Sequence, residues 1–255
     1  MTRLLTMAYG ICAYVLFLVT FLWAIAFVQN VPIGTTIDGV GGGATAPLAE
    51  ALVVNLALLG LFALQHSIMA RRWFKQWLAS IMAPAIERST FVLAATAALA
   101  LLLWQWRPIT EPVVWSVSDA GLAGVLGALA WIGWGVVLVS TFLISHFELF
   151  GLQQVYARLR NRPLPAPEFR TPFFYRYVRH PIYVGFLLAF WSTPHMTAGH
   201  LLFAVGTTGY ILVGIWFEER DLVAQYGDRY RAYREQVGML LPRRRRGPRP
   251  HRSGS

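Results

Sequence analysis

Apolar residues run through this chain in long unbroken stretches, without the alternation of a sheet or the one-sided stripe of a soluble helix. Leu4 to Val28, Leu48 to Ala70, Thr90 to Trp106 and Ala120 to Ser145 hold few charges. At about 1.5 Å per residue each spans roughly the 30 Å hydrocarbon core of a bilayer. The pattern changes toward the C-terminus. Ile182 to Thr193 is a short limb, Pro194 and the segment HMTAGH interrupt it, and Leu201 to Phe217 follows. As a helix the short limb covers only about 18 Å. It must extend back past Pro181, sit in thinned bilayer, or lean on other helices. The prediction is an all-α, polytopic membrane helical bundle, with five full transmembrane helices plus a short helix forming a C-terminal hairpin, in a single domain over residues 1–242. The first stretch ends without a small-residue cleavage pattern and reads as a permanent helix.

Composition agrees: 56% apolar and 13% charged residues exclude an ordinary water-soluble domain. All but Arg107 of the 22 Lys and Arg fall before the first span, between the second and third, between the fourth and the hairpin, or after it. By the positive-inside rule both termini and both basic loops are cytoplasmic. The net charge of +10 then reflects topology and contact with anionic lipids, with no nucleic-acid partner expected. The tail RRRRGPRPHRSGS (243–255) lacks apolar periodicity and is expected to be a disordered basic end. Cys12 is the single cysteine, so neither a disulfide framework nor a cysteine metal site is expected. The cluster DGVGGGATAP has no preceding strand and no Lys-Ser/Thr ending, and reads as an exterior connection.

Ionisable residues gather at the cytoplasmic span ends. His66, Arg71 and Arg72 end the second span, Arg88 precedes the third, His146 and Glu148 end the fourth, Arg176 to Tyr183 open the hairpin and FEERDL closes it. Such groups are costly near hydrocarbon and face a cavity, a partner or water. In RYVRHPIYVGF, Pro181 suits the first helical turn and places His180 near the cap. The helix start beside Arg176 and Arg179 suits a carboxylate. His180 and Tyr183 share a face, and Gly185 lets something approach the backbone. Glu218 and Glu219 meet the same boundary as acceptors for ribose hydroxyls or an ammonium, or as salt-bridge partners of a neighbouring arginine. His195 and His200 fall on the opposite side and are expected at the interface.

YVRHPIYVGFLLAFWSTP, followed by FEERDLVAQYGDRYRAYREQVGMLLP, resembles the C-terminal half of the isoprenylcysteine carboxyl methyltransferase and phospholipid methyltransferase superfamily, over roughly residues 172 to 242. The resemblance implies that Arg179, His180, Tyr183, Glu218 and Glu219 surround S-adenosylmethionine at the cytoplasmic membrane boundary. LFALQHSIMARRWFK, IERSTFVL and TFLISHFELFGLQQVY are similar to the bacterial methanethiol S-methyltransferases, a branch related to NnrU-type membrane proteins. That similarity implies conversion of methanethiol to dimethyl sulfide and a bacterial inner membrane location. Other small thiols, isoprenylcysteine carboxyl groups and phospholipids are acceptors of relatives and stay open.

The chemistry fits the layout. A sulfonium-activated methyl needs no metal, only an aligned nucleophile and a dry site. A thiol reacts as thiolate, so a base or cation is wanted. His66 and His146 are candidates for the base, and Arg72 or Arg88 for stabilising the anion; either histidine also suits a cap, or orienting Glu148. His146 and Glu148, two apart, form a simple dyad only if the helix ends at Ser145. Met69, Phe147, Glu148, Leu149 and Phe150 are candidate substrate-binding residues, and Gln153 and Gln154 candidates for adenine. Two other classes remain: a membrane sterol-type reductase using a nicotinamide cofactor, for which the loops leave little room, and a noncatalytic transporter or accessory protein, against which the near absence of ionisable residues in the outer halves of the spans argues.

Overall fold

Thr2 starts the first helix by accepting the Leu5 N–H on its hydroxyl, and the apolar run then continues unbroken as α1 (Arg3–Val28). In the computed structural model, which describes residues 2–40, 42, 45–164 and 168–243, nine further α-helices and two short strands follow. Residues 244–255 of the expected basic tail, and 41, 43 and 44 of the glycine cluster, lie outside the described residues.

α2 (Leu48–Ala70) and α4 (Pro84–Gln105) pack on each other and α4 also on α1. Between them lies α3 (Arg72–Ile81), a short amphipathic helix that the apolar runs do not reveal. α4 begins six residues before the expected Thr90, because Pro84 is accepted at the first helical position. Arg88 therefore lies within this helix, where the sequence reading placed it ahead. α5 (Ala120–Ile144) follows strand β1 (Val113–Ser116), and after a break at Ser145 come α6 (His146–Leu149) and α7 (Leu152–Arg160). A 3₁₀ turn (Phe173–Arg176) leads into α8 (Pro181–Trp191), and β2 (His195–Thr197) leads into α9 (Ala198–Tyr226), after which comes α10 (Asp228–Gln236), the last helix among the described residues. Five helices, α1, α2, α4, α5 and α9, are long and apolar enough to cross a membrane.

Of the three ways to accommodate the short limb, the structure uses the third: α8 begins at Pro181 and leans on α5. Gly133 and Gly185 face each other there, and a Cβ built on Gly185 would lie 2.6 Å from the Gly133 carbonyl oxygen. Small residues let two helices touch backbone to backbone, which is how contact is gained where lipid is as apolar as leucine.

The end of the bundle opposite the basic loops is closed by hydrogen bonds among neutral groups and around Asp38, whose carboxylate accepts from Asn30 and Thr197. β1 and β2 pair antiparallel, an element the all-helical expectation did not contain. Asn55, fully buried, donates to the Arg107 carbonyl (2.7 Å) and accepts from its amide (2.9 Å). The Trp106 indole donates to the Ile37 carbonyl at 3.1 Å, and Trp106 shares one buried cluster with Phe27, Phe190 and Phe203. His200, expected at the interface, is instead buried: its Nε2–H donates to the Phe190 carbonyl at 3.0 Å, satisfying an acceptor near the end of α8.

Candidate functional site

The opposite end is built from charges. Pro181 holds the first position of α8 and His180 the cap, as the sequence implied. The amides ahead of the helix are taken by the returning chain after α10: Arg179 N–H donates to the Gly238 carbonyl (2.9 Å) and His180 N–H to that of Met239 (3.2 Å). The C-terminal segment is thereby fixed across the mouth of α8. Two glutamates of α9 complete the cluster.

They are held differently. Glu219 is buried and accepts on Oε1 from Arg179 Nε (2.6 Å) and His180 Nε2 (3.2 Å), while Arg234 Nε lies 3.2 Å from Oε2. An ionised carboxylate only accepts, so His180 carries its proton on Nε2. Arg179 also donates to the carbonyls of Arg234 and Val237. Glu218, its side chain 45% exposed, accepts from the Tyr183 hydroxyl at 3.0 Å and lies 3.6 Å from His180 Nδ1, both through Oε2. Oε1 of Glu218 is left without a protein partner among the described residues. Arg179, His180, Tyr183, Glu218 and Glu219 thus converge as the sequence implied, with Glu219 enclosed by protein donors and Glu218 available.

Three tyrosines beside this cluster were not singled out in the sequence. Burial raises the Tyr175 phenol above its ordinary range, with the charge of Glu218 adding to it; burial and then Glu219 do the same to Tyr230. Tyr233 is pushed up to about 12, chiefly by burial. All three remain protonated donors at neutral pH. Tyr233 donates to the Tyr175 carbonyl, while the hydroxyls of Tyr175 and Tyr230 are buried without a partner among the described residues. The sequence signal for Tyr230 and Tyr233 is the recurrence of tyrosine at 226, 230 and 233 around α10, and Tyr175 has no such pattern.

Two clefts flank α10. One, about 630 Å³, is lined by Arg179, Arg231, Arg234, Glu235, Met239 and Arg243. The other, about 530 Å³, is lined by Phe169, Arg170, Arg229, Tyr233 and the exposed Arg176. Arg176 is therefore apart from Arg179. Gly185 also departs from expectation: the group approaching its backbone is α5.

His66 stands on α2 among rings, with Phe91 at 4.8 Å, Phe62 at 5.6 Å and Tyr210 at 6.3 Å between centroids. Its Nδ1 is buried with no partner among the described residues. Arg88 lies against the same Phe91, its guanidinium 4.9 Å from the ring, and donates to the Leu149 carbonyl at 2.6 Å. Tyr210 belongs to α9, two turns before Glu218, so this corner and the α8 mouth share one helix. Met69, one turn after Gln65 on α2, accepts from its side-chain amide on sulfur, and Arg72 is exposed on α3.

His146 has a different setting. The helix does end at Ile144, yet no dyad forms: Glu148 is exposed, and His146 bonds Thr141 Oγ1 through Nδ1 and the Tyr14 hydroxyl through Nε2, both at 2.9 Å. Thr141 donates its one proton to the Leu138 carbonyl, so Nδ1 carries the histidine proton and Nε2 accepts from Tyr14. Its ring stacks on Phe142 at 4.2 Å, and burial lowers its pKa. Phe147 is exposed and Phe150 stacks on Phe17 at 4.1 Å. Gln153 accepts from Ser145 and Gln154 donates to the Glu148 carbonyl, on a helix packed against α1, α4 and α6. Those residues form a second corner, joined to His66 through Arg88 and Leu149. No group of His, Cys, Asp and Glu able to hold a metal occurs among the described residues.

Comparison with known proteins adds the family context. A sequence model described as NnrU protein matches residues 54–241. Similar proteins include a methanethiol S-methyltransferase of Mycobacterium tuberculosis, 54% identical over 95% of this chain and 98% of the relative, and methanethiol S-methyltransferase 1 of Bradyrhizobium diazoefficiens, 51% identical over 95% and 84%. Nurim of Danio rerio is 30% identical over 68% of this chain and 65% of its own length. No solved structure matches.

Proposed function

Because the chain belongs to the NnrU protein family, we propose that it is an integral membrane enzyme that methylates methanethiol to dimethyl sulfide with S-adenosylmethionine, leaving S-adenosylhomocysteine. The observation that carries this reading is the convergence of Arg179, His180 and Tyr183 with Glu218 and Glu219 at one end of the bundle. The residues fit the donor. Glu218 keeps one carboxylate oxygen unengaged, Tyr175 and Tyr230 keep unpartnered hydroxyls, and the adjoining cleft of about 630 Å³ is within the range of small-molecule sites.

Arg179 and Arg234 suit a carboxylate, and Glu218 an ammonium or ribose hydroxyls. Glu219 fixes the arginine and His180 in place. When bound, S-adenosylmethionine supplies a methyl group already activated by its sulfonium. The protein orients the acceptor and removes its proton. His66, neutral and without a partner at Nδ1, takes the thiol proton, leaving the electron pair on sulfur for the new bond to carbon. Arg88, on the same Phe91 ring, favours the anionic sulfur, and Phe62, Phe91 and Tyr210 exclude water. Both nitrogens of His146 are engaged, which suits it to holding α1 against the end of α5.

The charge distribution supports an orientation with both termini and both basic loops cytoplasmic, in a bacterial inner membrane, the arginine-rich loops facing anionic lipids. The test is calorimetric binding to the detergent-solubilised protein, followed by headspace detection of dimethyl sulfide from expressing cells given methanethiol. Binding of S-adenosylhomocysteine with dimethyl sulfide release is expected. Binding of a reduced nicotinamide cofactor instead, or of neither, overturns the proposal.

A further inference from the structure

Two glycines of the α8/α9 hairpin have opposite surroundings. Gly185 is sealed by α5, where no side chain fits. Gly214, half-buried on α9, has open space: a Cβ built there would find a single atom within 4 Å, the Tyr183 hydroxyl oxygen at 3.9 Å. Glycine within a helix costs about 1 kcal/mol relative to alanine. At Gly185 backbone contact requires it. At Gly214 no neighbouring backbone does, and no positive φ is involved.

Its position supplies a reason. Tyr210, Gly214 and Glu218 recur every fourth residue, so they share one stripe of α9 at steps of about 6 Å. The Tyr210 ring reaches His66, and Glu218 is held by Tyr183. Gly214 thus lies midway along α9 between Tyr210, whose ring meets the imidazole, and the Glu218 carboxylate, with the Tyr183 hydroxyl oxygen in front. Of the other helical glycines with open surroundings, Gly124, Gly135 and Gly209 are on exposed faces, and the half-buried Gly60 and Gly127 have only Leu56 and Leu64, or Ala123 and Trp131, four residues to either side, without polar flanking groups. We propose, resting on the methyl-transfer reading above, that Gly214 is the floor of the acceptor pocket and that its missing side chain leaves the room in which a small thiol meets the donor. The residue is then a determinant of acceptor size, which no property of the Arg179–Glu219 cluster explains.

Gly214→Ala and Gly214→Val, assayed as purified protein in detergent, test this. The readouts are kcat/KM for methanethiol and ethanethiol, and the Kd for S-adenosylhomocysteine. In Gly214→Ala the ethanethiol-to-methanethiol ratio of kcat/KM should fall about tenfold or more, since one methylene is worth roughly 10- to 200-fold in a fitted pocket. In Gly214→Val methanethiol turnover should fall further, with S-adenosylhomocysteine affinity within about threefold of wild type in both, as discrimination would act on the acceptor alone. An unchanged thiol ratio in Gly214→Ala overturns the proposal. So does an equal loss for both thiols accompanied by loss of S-adenosylhomocysteine binding, which would make the glycine part of the donor site or of the packing. If Gly214→Val fails to bind S-adenosylhomocysteine and so reports misfolding, the alanine ratio decides alone. A wild-type protein that binds no S-adenosylhomocysteine would instead sink the underlying function.

Discussion

The two ends of the bundle solve the same problem with different chemistry. Where the helices meet β1 and β2, buried polar side chains bond mainly to backbone: Asn55 to Arg107, Trp106 to Ile37, His200 to Phe190. At the other end polar side chains bond largely to one another, Arg179 and Arg234 to Glu219, Tyr183 to Glu218, and acceptors and donors are left over. The first arrangement engages most of its hydrogen-bonding capacity, His200 Nδ1 excepted, and closes one end. The second keeps capacity in reserve, which a binding site needs. Stability and binding should therefore separate when each end is altered.

The largest effect is expected from Glu219→Ala. Arg179 and His180 would be left buried beside an empty place, and breaking one side of a buried ion pair costs about 3–5 kcal/mol. Thermal denaturation should show a lowered Tm, and calorimetry a loss of S-adenosylhomocysteine affinity of at least about tenfold, since half of that penalty already exceeds the roughly 1.4 kcal/mol of one decade. Unchanged affinity would remove Glu219 from the site.

Next come the histidines. His66→Ala should lower kcat by about 100-fold or more with little change in Tm, the usual worth of a positioned base. His146→Ala should do the reverse. His146 adds a pH signature: burial lowers its pKa in the folded state, so the unfolded chain takes up the proton first. Its contribution is complete above pH about 6.5, and stability declines as pH falls below that value. A denaturation series from pH 7.5 to 5 should show this decline in wild type and a weaker one in His146→Gln. Equal kinetic losses in His66→Ala and His146→Ala would erase the distinction between the two corners.

Glu218→Gln should cost about tenfold in S-adenosylhomocysteine affinity, a typical charge-assisted bond, with Tm unchanged because the side chain is half exposed. Asn55→Leu gives the smallest functional effect. It should lower Tm by leaving the Arg107 amide and carbonyl unpaired, a cost of about 1–3 kcal/mol, while kcat and KM stay within about twofold. A large kinetic change there would show that the closed end also governs catalysis.

Much of the charged end was legible because its signals are local. Pro181 fixes a helix start, and charges at span ends mark a boundary, so Arg179, His180, Tyr183, Glu218 and Glu219 could be named in advance. What escaped depends on distance in sequence. That Gly185 faces Gly133, or that Arg88 reaches the Leu149 carbonyl, is decided by which helices become neighbours. α3, α7 and α10 escaped because reading for membrane-length apolar runs passes over short amphipathic helices. His200 was misplaced because position along a span gives depth, not which way the ring points.

The backbone bonds from Arg179 and His180 to Gly238 and Met239 tie the mouth of α8 to nearly the last described residues of the chain. Synthesis proceeds from the N-terminus, so the five membrane-length helices can be made before this seam has a second side. The nascent protein acquires its membrane-length helices first and the proposed donor site last, and premature termination before Val237 would leave a polypeptide with all five of those helices and the mouth of α8 unfinished.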